Sequence, residues 1–159
     1  MRQPDSYSDE KWHVVIFMVD GKANHCGICV PARGLADLSL LGARIVEWSM
    51  GKLPKGDRLF FDIVLPEPQK ALKFLERPGL LCKPIIEMEK AQKGWHLTRD
   101  APDYVCTLRD KRSRNPDDMN CVEWVVYALE LGGLMLPEDV MTPTELLEWC
   151  QLDIFSYKM

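Results

Sequence analysis

The most informative stretch of the sequence is Asn120-Cys121-Val122-Glu123-Trp124, because it predicts a helix that begins with a cysteine. An asparagine at this position can accept hydrogen bonds from the first backbone N–H groups of a helix, and Glu123 can reach back to the Asn120 N–H, as in a capping box. Apolar residues then recur at helical spacing up to Leu129, and the pair Gly132-Gly133 ends the pattern. We therefore predict a helix that starts at Cys121 and turns this residue inward.

A cysteine in the first turn of a helix can act as a nucleophile. The N–H groups and the helix dipole stabilise the thiolate there, which lowers the pKa of a thiol from about 8.5 toward neutrality, and further beside a histidinium. Free cysteine is also among the residues most often buried in protein cores, and taken alone this second interpretation of Cys121 is favoured. The choice between the two depends on the rest of the chain.

Composition indicates one folded domain. The chain has 159 residues, of which 47% are hydrophobic and 28% are charged, as in ordinary soluble domains. We predict a single domain over residues 11–159, preceded by a polar, mobile arm over residues 1–10. The formal net charge of −4 argues against a general nucleic-acid-binding surface, and we interpret the basic run at residues 109–114 as a solvated loop.

The chain shows no sequence feature of membrane insertion or export. No apolar segment is long enough to span a bilayer, and residues 1–6 lack the apolar core of a secretory signal. We therefore expect a cytoplasmic location and no stable membrane insertion. The six cysteines are expected to be reduced thiols without a structural disulfide, and we expect neither a metal nor a cofactor.

Strands are predicted in the first half of the chain and helices mainly in the second. The apolar run at residues 12–19 predicts a buried strand, and residues 25–30 follow as its hairpin partner. Residues 80–114 carry only weak strand signals, near 84–88 and 104–108. The remaining predictions are strands at residues 43–49 and 59–65, a loop at 31–42, a helix at 67–76 and a second late helix capped by Thr142 with Pro143 in its first turn. This order predicts an α+β domain.

His25 is the best candidate for the base that a nucleophilic thiol needs. Strand alternation places His25 and Gly27 on the same face, and the glycine leaves room for a helix end or a substrate to approach. A strand histidine can also simply bind a backbone carbonyl. His13, within an apolar strand, is predicted to be a core residue, and His96 is a weaker competitor in the region without clear signals.

The order of these motifs resembles that of the circularly permuted papain-like (NlpC-type) cysteine hydrolases, especially the YiiX-like branch and, more distantly, lecithin:retinol acyltransferase-like proteins. In that group the histidine strand precedes the nucleophile helix. The resemblance covers residues 12–49 and 117–150. It rests on His25-Cys26-Gly27-Ile28-Cys29-Val30, on Ile45-Val46-Glu47-Trp48-Ser49, and on the Cys121 helix followed by Leu136-Pro137 and Thr142-Pro143-Thr144-Glu145.

This resemblance implies an antiparallel sheet packed against the nucleophile helix, and a role for three residues. Cys121 is the nucleophile, His25 the general base and then acid, and Glu47 the residue that orients the imidazole. The implied reaction is acyl transfer from an amide, ester or thioester through a covalent acyl-cysteine to water or to an amine or hydroxyl acceptor. The implied substrate is a small peptide, an amide or a lipid-like acyl compound.

Two other functions stay open at the level of sequence. The first is a catalytically inactive papain-like fold that serves as a binding module. The second is a metal or redox protein built on Cys26-Gly27-Ile28-Cys29, although no second cysteine pair accompanies this motif and a strand would send the two thiols to opposite faces. The leucines of residues 31–42, which are Leu35, Leu38, Leu40 and Leu41, predict an apolar lid beside the cleft and favour a hydrophobic acyl group.

Overall fold

The computed structural model describes residues 1–39, 42–46, 57–77, 111–116 and 119–152. These residues form an α+β fold in which five antiparallel strands are arranged in the order β4-β3-β2-β1-β5. The strands are β1 (Trp12–Val19), β2 (Lys22–Val30), β3 (Gly34–Ser39), β4 (Gly42–Val46) and β5 (Asp57–Ile63), and the helices are α1 (Pro68–Leu75), α2 (Cys121–Leu131) and α3 (Pro143–Cys150). The predicted α+β class is confirmed, whereas the permuted papain-like arrangement stays a prediction.

The predicted β1–β2 hairpin is present, but β2 begins at Lys22 rather than at residue 25, so a two-residue turn closes it in place of the longer loop expected. Val19 pairs with Lys22, and both residues between them, Asp20 and Gly21, have positive φ, at 51° and 76°. Turns of this kind match the twist of the flanking strands. The register of the hairpin shifts between Phe17, which pairs with His25, and Met18, which pairs with Ala23. One extra residue therefore lies in β2 directly before His25, a β-bulge of the kind that redirects neighbouring side chains.

The prediction of a loop over residues 31–42 is wrong, because residues 34–39 form strand β3. The chain reverses after β2 through Ala32 and Gly34, which have φ of 61° and 115°. Leu35 and Leu38 are both buried in the sheet, so neither belongs to an apolar lid. Both faces of the sheet are covered at β3, and the strand accordingly has apolar residues at both odd and even positions. It therefore lacks the alternation of apolar and polar residues that identifies a half-exposed strand. Leu40 and Leu41 lie outside the described residues.

The sheet has an apolar cluster on each face. Helix α2 packs its Trp124 and Val125 against the larger cluster, and α1 contacts α2 through stacked rings of Phe74 and Tyr127, whose centroids are 4.9 Å apart. The sheet residues of the larger cluster include Val14, Ile16, Cys26, Ile28, Ala36 and Leu38. The smaller cluster contains Val15, Phe17, Cys29 and Leu35, with Tyr7 and Phe60 packed against it. None of the helices in the described ranges has both the length and the apolar character needed to cross a bilayer.

The N-terminal arm contacts the edge of the sheet. The Asp5 N–H donates to the Phe60 carbonyl over 2.7 Å, and the Asp5 carboxylate accepts from the Asp62 N–H over 2.8 Å. His13 is buried as predicted, with its Nδ1 2.7 Å from Asp62 Oδ1 and its Nε2 3.1 Å from the Ser8 backbone nitrogen. These contacts must break for the arm to move. Its predicted mobility and the single domain over residues 11–159 stay predictions.

Part of the basic run is buried, contrary to the prediction of a solvated loop. Arg112 is only 5% exposed, and its guanidinium donates to the carbonyls of Pro137 and, over 3.2 Å, Val140. Arg114 is exposed, as predicted, and pairs with Glu130 and Glu138. The loop after α2 turns backbone carbonyls inward, and a guanidinium with five donors can satisfy several of them at once.

Candidate active site

Cys121 is the first residue of α2, and the capping box predicted for this helix is confirmed. The Glu123 N–H donates to Asn120 Oδ1 over 2.8 Å, and the Asn120 N–H donates to Glu123 Oε1 over 2.9 Å. The Asn120 backbone is extended, so the chain enters the helix abruptly at the cysteine. The Cys121 residue is 7% exposed. It is therefore buried, as predicted, and its thiol lies at the positive end of the helix dipole.

The structure brings His25 to Cys121, close enough for a side-chain hydrogen bond and the charge of the sulfur to raise the pKa of the imidazole. His25 lies in β2 beside the bulge, and its ring stacks on Phe17 with centroids 5.5 Å apart and an interplanar angle of 29°. The His25 side chain is 26% exposed. The stacked phenyl ring restricts the imidazole on one side, while the remaining exposure gives a reacting group access to it.

The second partner of the imidazole is Asp37, which the sequence prediction missed. Nε2 of His25 lies 2.9 Å from Oδ2 of Asp37, and this carboxylate is buried. Glu47, predicted for this role, lies outside the described residues, directly after the end of β4. One sequence signal could have identified Asp37, namely a single acidic residue inside the apolar run Leu35-Ala36-Asp37-Leu38. Buried carboxylates require a partner, so such a residue points to a polar site.

Gly27 allows β3 to approach β2 closely beside the site. A Cβ at this position would lie 2.8 Å from the Ala36 carbonyl oxygen, 2.8 Å from Leu35 Cδ1 and 3.3 Å from Asp37 Cβ. The space beside Gly27, predicted to admit a helix end or a substrate, is therefore occupied by β3. The absence of a side chain at Gly27 lets Asp37 come within hydrogen-bonding distance of His25.

We expect the substitution Gly27→Ala to disturb the site as well as the fold. The added methyl group must push β3 away, which costs about 1–3 kcal/mol of unfolding free energy by overpacking, and the displaced Asp37 then supports His25 less well. Gly132→Ala is a matched control, because its Cβ would meet only Leu65 side-chain atoms, at 3.0–3.3 Å. Denaturant unfolding should show a loss in both variants, whereas iodoacetamide labelling of Cys121 should shift to higher pH only in Gly27→Ala. An unshifted profile in folded Gly27→Ala would contradict this role of Gly27.

The surroundings of His25 favour its protonated form. Burial acts to lower the pKa of the imidazole, but the hydrogen bonds and charges of Asp37 and Cys121 outweigh it and raise that pKa from 6.5 to about 10. At neutral pH His25 is therefore an imidazolium between a carboxylate and a thiol. Burial alone raises the pKa of the Cys29 thiol to about 12, so this thiol is protonated at neutral pH. Burial likewise raises the pKa of the Cys150 thiol.

The Cys-x-x-Cys pair does not face a common site. Cys26 belongs to the larger apolar cluster and Cys29 to the smaller one, on opposite faces of the sheet, as strand alternation predicts. Within the described ranges the cysteines at positions 26, 29, 121 and 150 form no disulfide bond with one another. In the same ranges no group of three or more His, Cys, Asp or Glu side chains is placed to hold a metal ion. A metal-free protein stays a prediction.

No known protein family, no curated protein and no solved structure matches the chain. The resemblance to permuted papain-like hydrolases therefore stays a prediction that rests on motif order. The function is therefore inferred from the arrangement of the Cys121, His25 and Asp37 side chains.

Proposed function

We propose that this protein is a thiol hydrolase or acyltransferase in which Cys121 is the nucleophile, His25 the general base and acid, and Asp37 the residue that orients the imidazole. The observation that carries this proposal is the position of the His25 ring, which is hydrogen-bonded both to the Cys121 side chain and to the Asp37 carboxylate. Three different elements supply these residues, namely β2, β3 and the start of α2.

Asp37 holds the histidine in the form that the reaction requires. By accepting from Nε2–H, the carboxylate sets the tautomer and the orientation of the ring, so that Nδ1 is the nitrogen that exchanges a proton with the thiol. The negative charge of Asp37 also stabilises the imidazolium that forms when the ring takes this proton. In this role Asp37 replaces Glu47 in the set predicted from sequence.

The pairing of His25 with Cys121 favours a thiolate. The sulfur contributes to raising the pKa of His25, and such coupling is mutual, so the imidazolium stabilises the ionised sulfur by the same interaction. The N-terminus of α2 acts in the same direction. The proposed resting state is therefore an imidazolium–thiolate pair, in which the proton is already on the group that will deliver it to the leaving group.

The proposed reaction has two half-steps. The Cys121 thiolate attacks the carbonyl carbon of an amide, ester or thioester, and the carbonyl π electrons move onto oxygen. The intermediate collapses, the bond to the leaving group breaks, and the imidazolium protonates the leaving atom. Water, an amine or a hydroxyl then attacks the acyl-cysteine while His25 takes its proton, and the thiolate is regenerated. The first N–H groups of a helix have no carbonyl partner within the helix, which makes the Cys121 amide a suitable hydrogen-bond donor to the oxyanion.

Because Leu35 and Leu38 belong to β3 and form no lid over a hydrophobic chain, the proposal covers short and medium acyl groups alike. A test of the chemistry that needs no natural substrate uses activated acyl esters of short and medium chain length. Incubation with 4-nitrophenyl acetate or octanoate should add one acyl group per chain, mapped by peptide mass spectrometry to Cys121.

Cys121→Ala should abolish this adduct, and Cys26→Ala, which removes a buried thiol of the core, should retain it. Acylation of several cysteines at similar rates would contradict the proposal. A folded protein that forms no adduct with either ester, and is not labelled at Cys121 by iodoacetamide, would favour an inactive binding module instead.

A further inference from the structure

Glu123 makes more contacts than its place in a capping box requires. Its carboxylate is buried, and Oε1 accepts from the Asn120 N–H over 2.9 Å. The second oxygen, Oε2, accepts from the backbone N–H of Ser113. A single carboxylate thus joins the start of α2 to a segment that precedes it in the chain. We call residues 111–116 the strap.

The strap is also held at the far end of α2. Arg112 donates from within the core to carbonyls of the loop that follows α2, those of Pro137 and, over 3.2 Å, Val140. Arg114 donates to Glu130 over 3.2 Å and to Glu138 over 2.9 Å at the surface. The strap therefore lies along α2 and is fixed at three places, of which the Glu123 contact is the one next to Cys121.

The Asn120 backbone determines where the Cys121 sulfur and amide point. Because Glu123 binds the Asn120 N–H and Asn120 binds the Glu123 N–H, the turn containing Cys121 is closed by two short hydrogen-bonded rings. Anchoring Oε2 to Ser113 fixes the carboxylate itself, and with it both rings. Misplacement of a catalytic group by about 1 Å can reduce a rate roughly 100-fold, so such support has kinetic consequences.

We propose that Glu123 is a positioning residue, which through Asn120 holds the thiol and the amide of Cys121 in the geometry for acyl transfer, and that the strap is its rigid support. This inference rests on the proposed function. If Glu123 acted only through its charge, its removal would favour the Cys121 thiolate and speed acylation, because a nearby carboxylate disfavours ionisation of a thiol. A positioning role predicts instead that removal of the carboxylate slows acylation.

Two variants separate position from charge. Glu123→Gln keeps the shape of the side chain but loses one acceptor, since its NH₂ group would face a backbone N–H. Glu123→Asp keeps the charge but is one methylene too short to reach both N–H groups. We expect both variants to be acylated by 4-nitrophenyl acetate about 10- to 100-fold more slowly than the wild type, while the pH profile of iodoacetamide labelling changes little, because alkylation needs no oxyanion donor.

Glu145→Gln is a matched control, because Glu145 holds the same third position in α3, where its Oε1 accepts from the Met141 N–H. This variant should be acylated at the wild-type rate. Rates are compared per folded chain, with the folded fraction measured by circular dichroism, so that unfolded protein does not count, and Glu123→Asp carries the test if Glu123→Gln does not fold. Acylation of folded Glu123→Gln or Glu123→Asp within twofold of the wild type would overturn the inference. A wild type that is not acylated would instead overturn the proposed function.

Discussion

Replacing Asp37 by asparagine is expected to slow the acylation of Cys121 by about 100-fold or more. In a Ser-His-Asp triad the corresponding change lowers kcat by about 10⁴-fold, because the imidazole loses its correct tautomer and the stabilisation of its charge. A thiol ionises far more readily than a serine hydroxyl, so less of the barrier depends on the carboxylate here. The measurement is the burst of 4-nitrophenol released by Asp37→Asn and by the wild type at the same pH.

The chain contains its own control for this change. Asp62 forms the second His–Asp pair, with its Oδ1 2.7 Å from Nδ1 of His13, beneath the N-terminal arm. Asp62→Asn should therefore loosen the arm and leave the acylation rate within about twofold of the wild type. Equal effects of Asp37→Asn and Asp62→Asn would indicate general destabilisation rather than loss of the orienting group.

Glu47→Gln is the third variant to compare. Motif order predicted that Glu47 orients the imidazole of His25, which is the role we propose for Asp37. The Asp37 carboxylate already occupies Nε2 of His25. We therefore expect the effect of Glu47→Gln to be the smaller of the two, and the reverse order would return the role to Glu47.

Replacing His25 by alanine is expected to change the pH dependence of Cys121 reactivity. Since the pKa of His25 is raised to about 10, its positive charge persists from acidic pH to well above neutrality. The proposed imidazolium–thiolate pair keeps its imidazolium across this range, so we expect wild-type alkylation to vary little between about pH 6.5 and 9. Without the imidazole the thiol returns toward a pKa of about 8.5, and labelling should rise nearly tenfold per pH unit below that value.

The size of this effect follows from two opposing factors. At pH 6.5 a thiol with a pKa of about 8.5 is only roughly 1% ionised, which predicts a 100-fold loss. A thiolate of lower pKa is also a weaker nucleophile, with a Brønsted coefficient of about 0.4–0.5, so the measured loss should be smaller than 100-fold. His96→Ala is the control, because the sequence left His96 as the competing partner. A profile that shifts in His96→Ala and not in His25→Ala would assign the base to His96.

Sequence reasoning succeeded where the interacting residues are close in the chain. The capping box at Asn120, the N-cap at Thr142 and the β1–β2 hairpin depend on contacts within a few positions, and their residue types identify them directly. The helix-start cysteine was chosen from its capping pattern and the strand histidine from strand alternation, and the two side chains interact in the structure.

Sequence reasoning failed where burial on two sides removes the pattern. In β3 the apolar run is short and is interrupted by Asp37, so it shows neither strict alternation nor the continuous apolar run that identified β1, and the segment was predicted as a loop. The burial of Arg112 was missed because a run of basic residues ordinarily faces solvent. Its carbonyl partners come from a loop more than twenty positions away, at separations of 24 to 28 residues.

The amino-acid sequence by itself determined the local elements of this protein, namely which residues turn, which cap a helix and which cysteine stands at a helix start. Only the tertiary structure decided which carboxylate meets His25 and which arginine enters the core. Caps and tight turns follow from the hydrogen-bonding capacity of neighbouring residues. The partner of a buried charge depends on which distant strand or loop supplies its hydrogen bonds, because burying Asp37 or Arg112 is tolerable only where those partners already converge.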